Sequence, residues 1–266
     1  MSAELLEVTG LSKAFGPFVA VNEVSFTLAE GESLGIIGES GSGKTTLARM
    51  LLGLERPTSG TIRCRGVDRT VPARASRVRR ARGQDLQIVF QDPYLSLDPR
   101  YTVRESLSET VRIYEGRGRA TPARLTELAD MVSLSPRHLD ALPANLSGGQ
   151  RQRVAIARAL AAGPRCVVLD EAVAALDVSI QAQILNLLAD IREELGVSLL
   201  FITHDLGVVR QVTDHAVVMQ RGAIVESGST AELLSNPQHS YTQELIASVP
   251  RPGWIPRRRT TTVHSG

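Results

Sequence analysis

The chain has 266 residues, of which 42% are hydrophobic, enough to bury a substantial core and too many for a disordered or fibrous chain. Charged residues make up 22% and the formal net charge is only +2, so no global field draws the protein to nucleic acid. Two cysteines, Cys64 and Cys166, suit neither a disulfide scaffold nor a clustered zinc site, and they fit a reducing compartment.

Met1 to Glu7 carry no basic run and no long apolar stretch, so no secretory leader is expected. No window approaches the ~18–20 apolar residues of a membrane span, and any membrane role is expected to come through a partner. Leu6 and Val8, then Val19, Val21, Val24, Phe26 and Leu28, alternate with polar neighbours and predict strands before a turn at Glu30-Gly31-Glu32. Ser33 to Ile37 is a short apolar run that enters the Gly/Ser-rich Gly38–Gly43. Thr45 to Leu54 then places Leu47, Met50, Leu51 and Leu54 at helical spacing, giving strand, glycine loop, helix. Residues 63–82 hold eight arginines against one acid, Asp68. Without interleaved aromatics, that run predicts a solvated helix with flanking loops rather than a nucleic-acid surface.

Leu86 to Phe90 predicts a strand, and Thr102 to Leu142 turns helical and loop-rich around Gly116-Arg117-Gly118-Arg119, as a helical unit inserted between strands would. A helix is expected over Gly149–Ala162, a strand over Cys166–Leu169, a helix over Val178–Leu195 and a strand over Ser198–Thr203. A short helix and strands at Ala216–Met219 and Ala223–Val225 follow. Strands alternating with helical crossovers imply an α/β fold with a mostly parallel sheet covered on both faces. The tail, Pro250 to Gly266, is expected to be extended.

Only Lys13 and Lys44 among the 30 basic residues are lysines, and Lys44 lies in a motif. Gly38-Glu39-Ser40-Gly41-Ser42-Gly43-Lys44-Thr45 matches G-x-x-x-x-G-K-[ST] between a predicted strand and a predicted helix. Its glycines let successive N–H groups ring a phosphate, and the helix N-terminus adds partial positive charge. Lys44 reaches the outer phosphates, Thr45 offers its hydroxyl to Mg²⁺, and Thr46 follows in the same cradle. Val167-Val168-Leu169-Asp170-Glu171 is a buried strand ending in two acids: Asp170 suits a magnesium shell, and Glu171 is placed to take a proton from water. Together these residues predict nucleoside-triphosphate binding.

Leu146-Ser147-Gly148-Gly149-Gln150 opens the next helix, and here the chain resembles the ATP-binding cassette (ABC) family, whose signature is LSGGQ. The resemblance covers about residues 5–235. It implies a P-loop NTPase core with an antiparallel N-terminal β-subdomain and an inserted α-helical subdomain at about 92–145. It implies ATP and Mg²⁺, with Phe15 stacking on adenine and Gln91 touching magnesium and the attacking water. Ser147, Gly148, Gly149 and Gln150 would grip a γ-phosphate from a second molecule, Asp177 would cross the dimer interface, and His204 would act as the switch histidine beside the base Glu171. Asp177–Leu188 and His239–Pro250 are similar to stretches in ATPases of peptide and nickel importers, which makes 236–266 a C-terminal extension of that type. Ser240 stands where that subfamily usually has proline, and Ala172-Val173-Ala174 stands where the family often has proline and a hydroxyl residue. No cysteine cluster for an iron–sulfur centre follows.

The partners implied are a second cassette, identical or homologous, two integral-membrane permeases, and an extracytoplasmic binding protein met indirectly, with no nucleic acid. The place implied is the cytoplasmic face of the membrane. An exporter ATPase and a non-transport cassette protein are the alternatives.

Overall fold

A computed structural model describes residues 4–92 and 96–248. β1 (Glu4–Phe15) and β2 (Phe18–Ala29) pair antiparallel, with Val8 opposite Phe26. On its other side β1 pairs with β4 (Ser59–Cys64), which also carries the two-residue β5 (Val67–Asp68), so this sheet runs β2-β1-β4-β5. Its strands alternate because one face is buried and one is wet.

The second sheet runs β10-β9-β3-β8-β7-β6. Its members are β3 (Ser33–Ile37), β6 (Leu86–Val89), β7 (Cys166–Asp170), β8 (Ser198–Thr203), β9 (His215–Gln220) and β10 (Ala223–Ser229). All pairings are parallel except β9 with β10. Every residue of β3, β7 and β8 is buried, which is why these strands read as unbroken apolar runs: helices or the other sheet cover both of their faces.

Helices among the described residues include α1 (Lys44–Leu51), α2 (Ser76–Asp85), α3 (Val103–Tyr114), α4 (Pro122–Met131), α5 (Gly148–Leu160), α6 (Val178–Leu195), α7 (Leu206–Val212), α8 (Thr230–Ser235) and α9 (Ser240–Ala247). Sequence chemistry starts and stops them. Thr102 and Glu105 form a capping box on α3, Thr121 caps α4 ahead of Pro122, and Gly196 ends α6 at a φ of 63°. Leu107, Val111 and Leu128 of α3 and α4 join Val154, Leu169, Ile184 and Leu199 in one apolar cluster. A second cluster lies between the two sheets and α1, around Val8, Phe26, Ile36, Leu47, Ile62 and Ile202. A third, around Ile37, Val209, Val218, Leu233 and Tyr241, ties α8 and α9 to β3 and β9.

The arginine run contains more than a helix and loops. Its first residues belong to β4, where Ile62 and Cys64 face inward and Arg63 is exposed; the dense positive charge obscured that alternation. α2 buries none of its residues, as a solvated helix should. Arg69 is the exception: it is 6% exposed and paired with Asp85. The 102–142 stretch holds two helices and two 3₁₀ turns, Arg117–Arg119 and Pro136–Asp140, and a third 3₁₀ turn, Pro143–Asn145, follows it. Among the described residues two helices, α8 and α9, follow β10, where periodicity alone raised no expectation. The extended tail expected at 250–266 lies outside the described residues. Cys64 and Cys166 are free and buried, and burial raises both thiols.

Leu107 is completely buried in the helical layer. Leu107→Ala should lower the unfolding free energy by about 2–5 kcal/mol, read from the denaturant midpoint. An unchanged midpoint would mean that α3 is not packed on this core.

Candidate functional site

The chain leaves β3 at Ile37 and turns through 38–43 into α1. Two close approaches of backbone decide what can occupy that turn. A Cβ on Gly38 would lie 2.3 Å from the Met219 carbonyl oxygen, and one on Gly43 would lie 2.2 Å from that of Ala20. Gly43 also has a φ of 102°, which disfavours any side chain. Within the turn, Ser42 N–H donates to the Glu39 carbonyl at 3.2 Å, and Gly222 N–H donates to the Ser42 carbonyl at 3.0 Å. α1 has no side-chain cap, so its first N–H groups are suited to an anion.

The Lys44 ammonium is folded into this turn. It donates to the carbonyls of Gly38 at 2.7 Å and Glu39 at 2.8 Å. Burial lowers its pKa, while the charges of Glu171, Asp170 and Glu39 oppose the shift. The acids come from the end of β7. Burial pushes the Asp170 carboxyl up, and Glu171 beside it adds to the rise; Lys44, Arg49 and a hydrogen bond from Thr45 pull the other way. Asp170 Oδ1 is buried without a hydrogen-bond partner. Glu171 adopts the left-handed region at a φ of 48°, held there as its N–H donates to the Ile202 carbonyl at 2.8 Å. Such backbone strain, of order 1–3 kcal/mol, gathers at functional sites. His204 Nδ1 lies 3.2 Å from Glu171 Oε1.

Sheet order makes this meeting inevitable. β8 lies between β3 and β7, and the register pairs Ile37 with Thr203 and Asp170 with Ile202. Residues 38, 171 and 204 therefore leave the sheet at one edge. There a cleft of about 220 Å³ is lined by Ser40, Gly41, Gly43, Lys44, Thr45, Thr46 and Glu171, with Ala20 and Phe18 on its far wall.

The other expected residues sit elsewhere. Phe15 is half exposed outside that lining, with Lys13 Nζ 4.7 Å from its ring centre; Phe18, across the same turn, reaches the cleft and was missed. A second aromatic three residues on was the signal available. Gln91 is exposed and borders a different cavity, of about 470 Å³, with Asp92, Gly148, Gln152, Ala172 and Leu176. Ser147 and Gln150 form a capping box on α5: Gln150 N–H donates to Ser147 Oγ at 3.3 Å and Ser147 N–H to Gln150 Oε1 at 2.8 Å. A Cβ on Gly149 would lie 2.6 Å from Ile180 Cγ2, so glycine lets α5 begin against α6. Asp177 caps α6, accepting from Ile180 N–H at 2.9 Å, and that hydrogen bond keeps its carboxyl below the usual range. The 172–174 turn closes without proline, since Ala174 N–H donates to the Glu171 carbonyl at 3.0 Å while Ala172 and Val173 pack into the core. Tyr241 was also missed as a contact of the loop: its hydroxyl accepts from Glu39 N–H at 3.1 Å.

The donors fit the ligands that the motif suggests. Thr45 and Asp170, with its unpartnered buried oxygen, are hard oxygen ligands of the kind Mg²⁺ takes, and the glycine-lined turn suits phosphate. Among the described residues no group of three or more His, Cys, Asp or Glu could hold a metal by itself, so an ion here would complete its shell from phosphate and water.

Comparison with known proteins identifies relatives of the chain. The ABC transporter family model matches residues 21–174, and the model for the oligopeptide/dipeptide transporter C-terminal region matches 225–263. The chain is 47% identical to the oligopeptide transport ATP-binding protein OppD of Mycobacterium tuberculosis, over 94% of this chain and 40% of that protein. It is 44% identical to OppF of Lactococcus lactis, over 87% of this chain and 72% of that one. Among solved structures, a dimeric post-hydrolysis state of the ATP-binding cassette MJ0796 bound to ADP and Pi superposes with a TM-score of 0.74 at 28% identity, covering 85% of this chain and 99% of that one. The chain thus spans well under half the length of its mycobacterial relative.

Lys44→Ala should weaken binding of a fluorescent ATP analogue about tenfold or more, the scale of losing charged hydrogen bonds. Lys44→Arg should not restore it, because a planar guanidinium cannot replace a compact ammonium between two carbonyls. Wild-type affinity in Lys44→Arg would refute this geometry.

Proposed function

The chain belongs to the ABC transporter ATP-binding family, and from that premise we propose that it binds ATP with Mg²⁺ and hydrolyses it as the motor subunit of a peptide importer. The observation that carries this reading is the convergence of Lys44, Thr45, Asp170, Glu171 and His204 at one sheet edge. The C-terminal match over 225–263 and the names of the relatives favour oligopeptides or dipeptides as cargo over nickel.

Ser40–Thr46 cradle the β- and γ-phosphates, and the Lys44 ammonium, held by the Gly38 and Glu39 carbonyls, turns its remaining N–H toward phosphate oxygens. Thr45 and Asp170, together with Gln91, would hold Mg²⁺, which would supply charge neutralisation on those oxygens. Phe15 stacks on adenine, with Phe18 as the neighbouring aromatic. Glu171 accepts the proton of the attacking water, and His204, within hydrogen-bond reach of Oε1, holds that carboxylate toward it. Ser147–Gln150 form a second anion site for the nucleotide of a facing cassette, identical or homologous. Two features support a facing partner: Gly148 borders a cavity other than the phosphate cleft, and Val178, next to Asp177, is 84% exposed. In this arrangement residues 1–235 are the cassette, about 92–145 its helical unit, and 236–266 the importer-type extension.

No helix among the described residues is long and apolar enough to cross a membrane. In the proposed importer, attachment to the cytoplasmic face comes through two permeases, which a binding protein supplies from outside. Gln91, Asp92 and residues 96–101, with the helices beside them, form the permease-facing surface.

Two experiments test this. Glu171→Gln, made in both cassettes of the assembled complex, should keep ATP binding and abolish multiple turnover; continued turnover would remove Glu171 from the role of base. A photo-cross-linker at Ser96, which is partly exposed whereas Leu97 is buried, should capture co-expressed permease. Capture of nucleic acid or ribosomal protein alone would overturn the transport reading.

A further inference from the structure

The peptide unit joining Gly38 to Glu39 is gripped from both sides. Its carbonyl accepts from the Lys44 ammonium at 2.7 Å, and its N–H donates to the Tyr241 hydroxyl at 3.1 Å. A peptide group is planar and rotates as one unit, so turning it would break both bonds together. The carbonyl of Glu39 is tied into the same knot, accepting from Lys44 Nζ at 2.8 Å and from Ser42 N–H at 3.2 Å.

Tyr241 is itself firmly placed. It is 6% exposed, and its ring lies in the cluster that contains Ile37, the residue just before the loop, and Val218 of the neighbouring strand. The start of its helix is anchored to the sheet by Glu226 of β10, whose carboxylate accepts from Gln238 N–H at 2.7 Å and from His239 N–H at 3.1 Å. His239 in turn caps α9, its Nδ1 accepting from Tyr241 N–H at 3.2 Å. A continuous chain of contacts thus runs from β10 through α9 to the phosphate loop. It lies within the stretch matched by the C-terminal transporter model, a segment that supplies none of the phosphate-site residues described above.

We propose that Tyr241 is a positioning residue for the phosphate loop, through which the 226–247 segment sets the affinity of the site for nucleotide. The proposal rests on the reading that this loop binds ATP. The phenol fixes the Gly38–Glu39 peptide so that its carbonyl faces Lys44, and the loop therefore meets a nucleotide already ordered. Without the hydroxyl, part of the binding free energy goes into ordering the loop.

Tyr241→Phe in the full chain tests this, because it keeps the ring in its cluster and removes only the acceptor. Two readouts are needed: amide hydrogen exchange of the peptide containing Glu39, measured without nucleotide, and equilibrium affinity for a fluorescent ATP analogue. The expected result is faster exchange at Glu39 and affinity weaker by about three- to tenfold, the scale of one lost hydrogen bond. In the assembled transporter KM for ATP should rise while kcat at saturating ATP is kept. Glu226→Gln, which weakens the anchor of α9, should shift both readouts in the same direction and stands in if Tyr241→Phe does not fold. Wild-type exchange at Glu39 would overturn the proposal, and so would faster exchange with unchanged affinity, since the hydroxyl would then serve the fold alone. A wild-type chain that binds no ATP analogue would strike the nucleotide reading instead, and the exchange measurement separates the two failures because it needs no nucleotide.

Discussion

Burying an ammonium costs several kcal/mol unless oxygen acceptors and negative charge surround it, and the structure around Lys44 is organised to supply both. Two backbone carbonyls accept from its Nζ, and the carboxylates of Asp170 and Glu171 stand close enough to oppose the loss of its charge. Those carbonyls can turn inward only because glycine at 38 and 43 lets the loop press against the Met219 and Ala20 carbonyls. Each of those contacts belongs to a different strand, β9 or β2, so the conformation of the loop depends on both sheets being in place.

The same dependence explains how the acids arrive. β3, β8 and β7 are adjacent and parallel, although the chain makes them in the order β3, β7, β8 with helices between. Parallel neighbours end at the same edge, so three segments far apart in sequence deliver Lys44, Glu171 and His204 to one place. Glu171 lies just past its strand in a left-handed turn, which aims its carboxylate toward His204. The turn is maintained by a backbone bond from Ala174 and by the burial of Ala172 and Val173. Proline is therefore not needed to shape it.

Ser147–Gln150 and Asp177 obey different constraints. Their side chains are spent locally on helix caps, and Gly148 borders a cavity shared with Gln91 rather than the phosphate cleft. A cap leaves further N–H groups of the helix free to meet an anion. The helix start at Gly148 and the phosphate loop thus border different cavities of the same chain.

The amino-acid sequence by itself determined the local chemistry. Gly38–Thr45 reads as a phosphate loop because only glycine tolerates that backbone, and Val167–Glu171 reads as a buried strand ending in acids because apolar runs and charge are local signals. The caps Thr102, Thr121 and Asp177 act within a few residues of sequence, yet their capping role emerged only with the structure. The strand through Ile62 and Cys64 was hidden by arginines, whose charge dominates any composition window although their side chains merely face water. What only the tertiary structure decided is which distant groups share a volume: Phe18 rather than Phe15 on the cleft wall, Gln91 beside Gly148, and Tyr241 against Glu39. Residue 241 lies 202 positions from residue 39. No periodicity or motif spacing encodes such a contact. It exists because the third apolar cluster packs α9 beside the end of β3, and a buried phenol there needs a donor or acceptor for its hydroxyl.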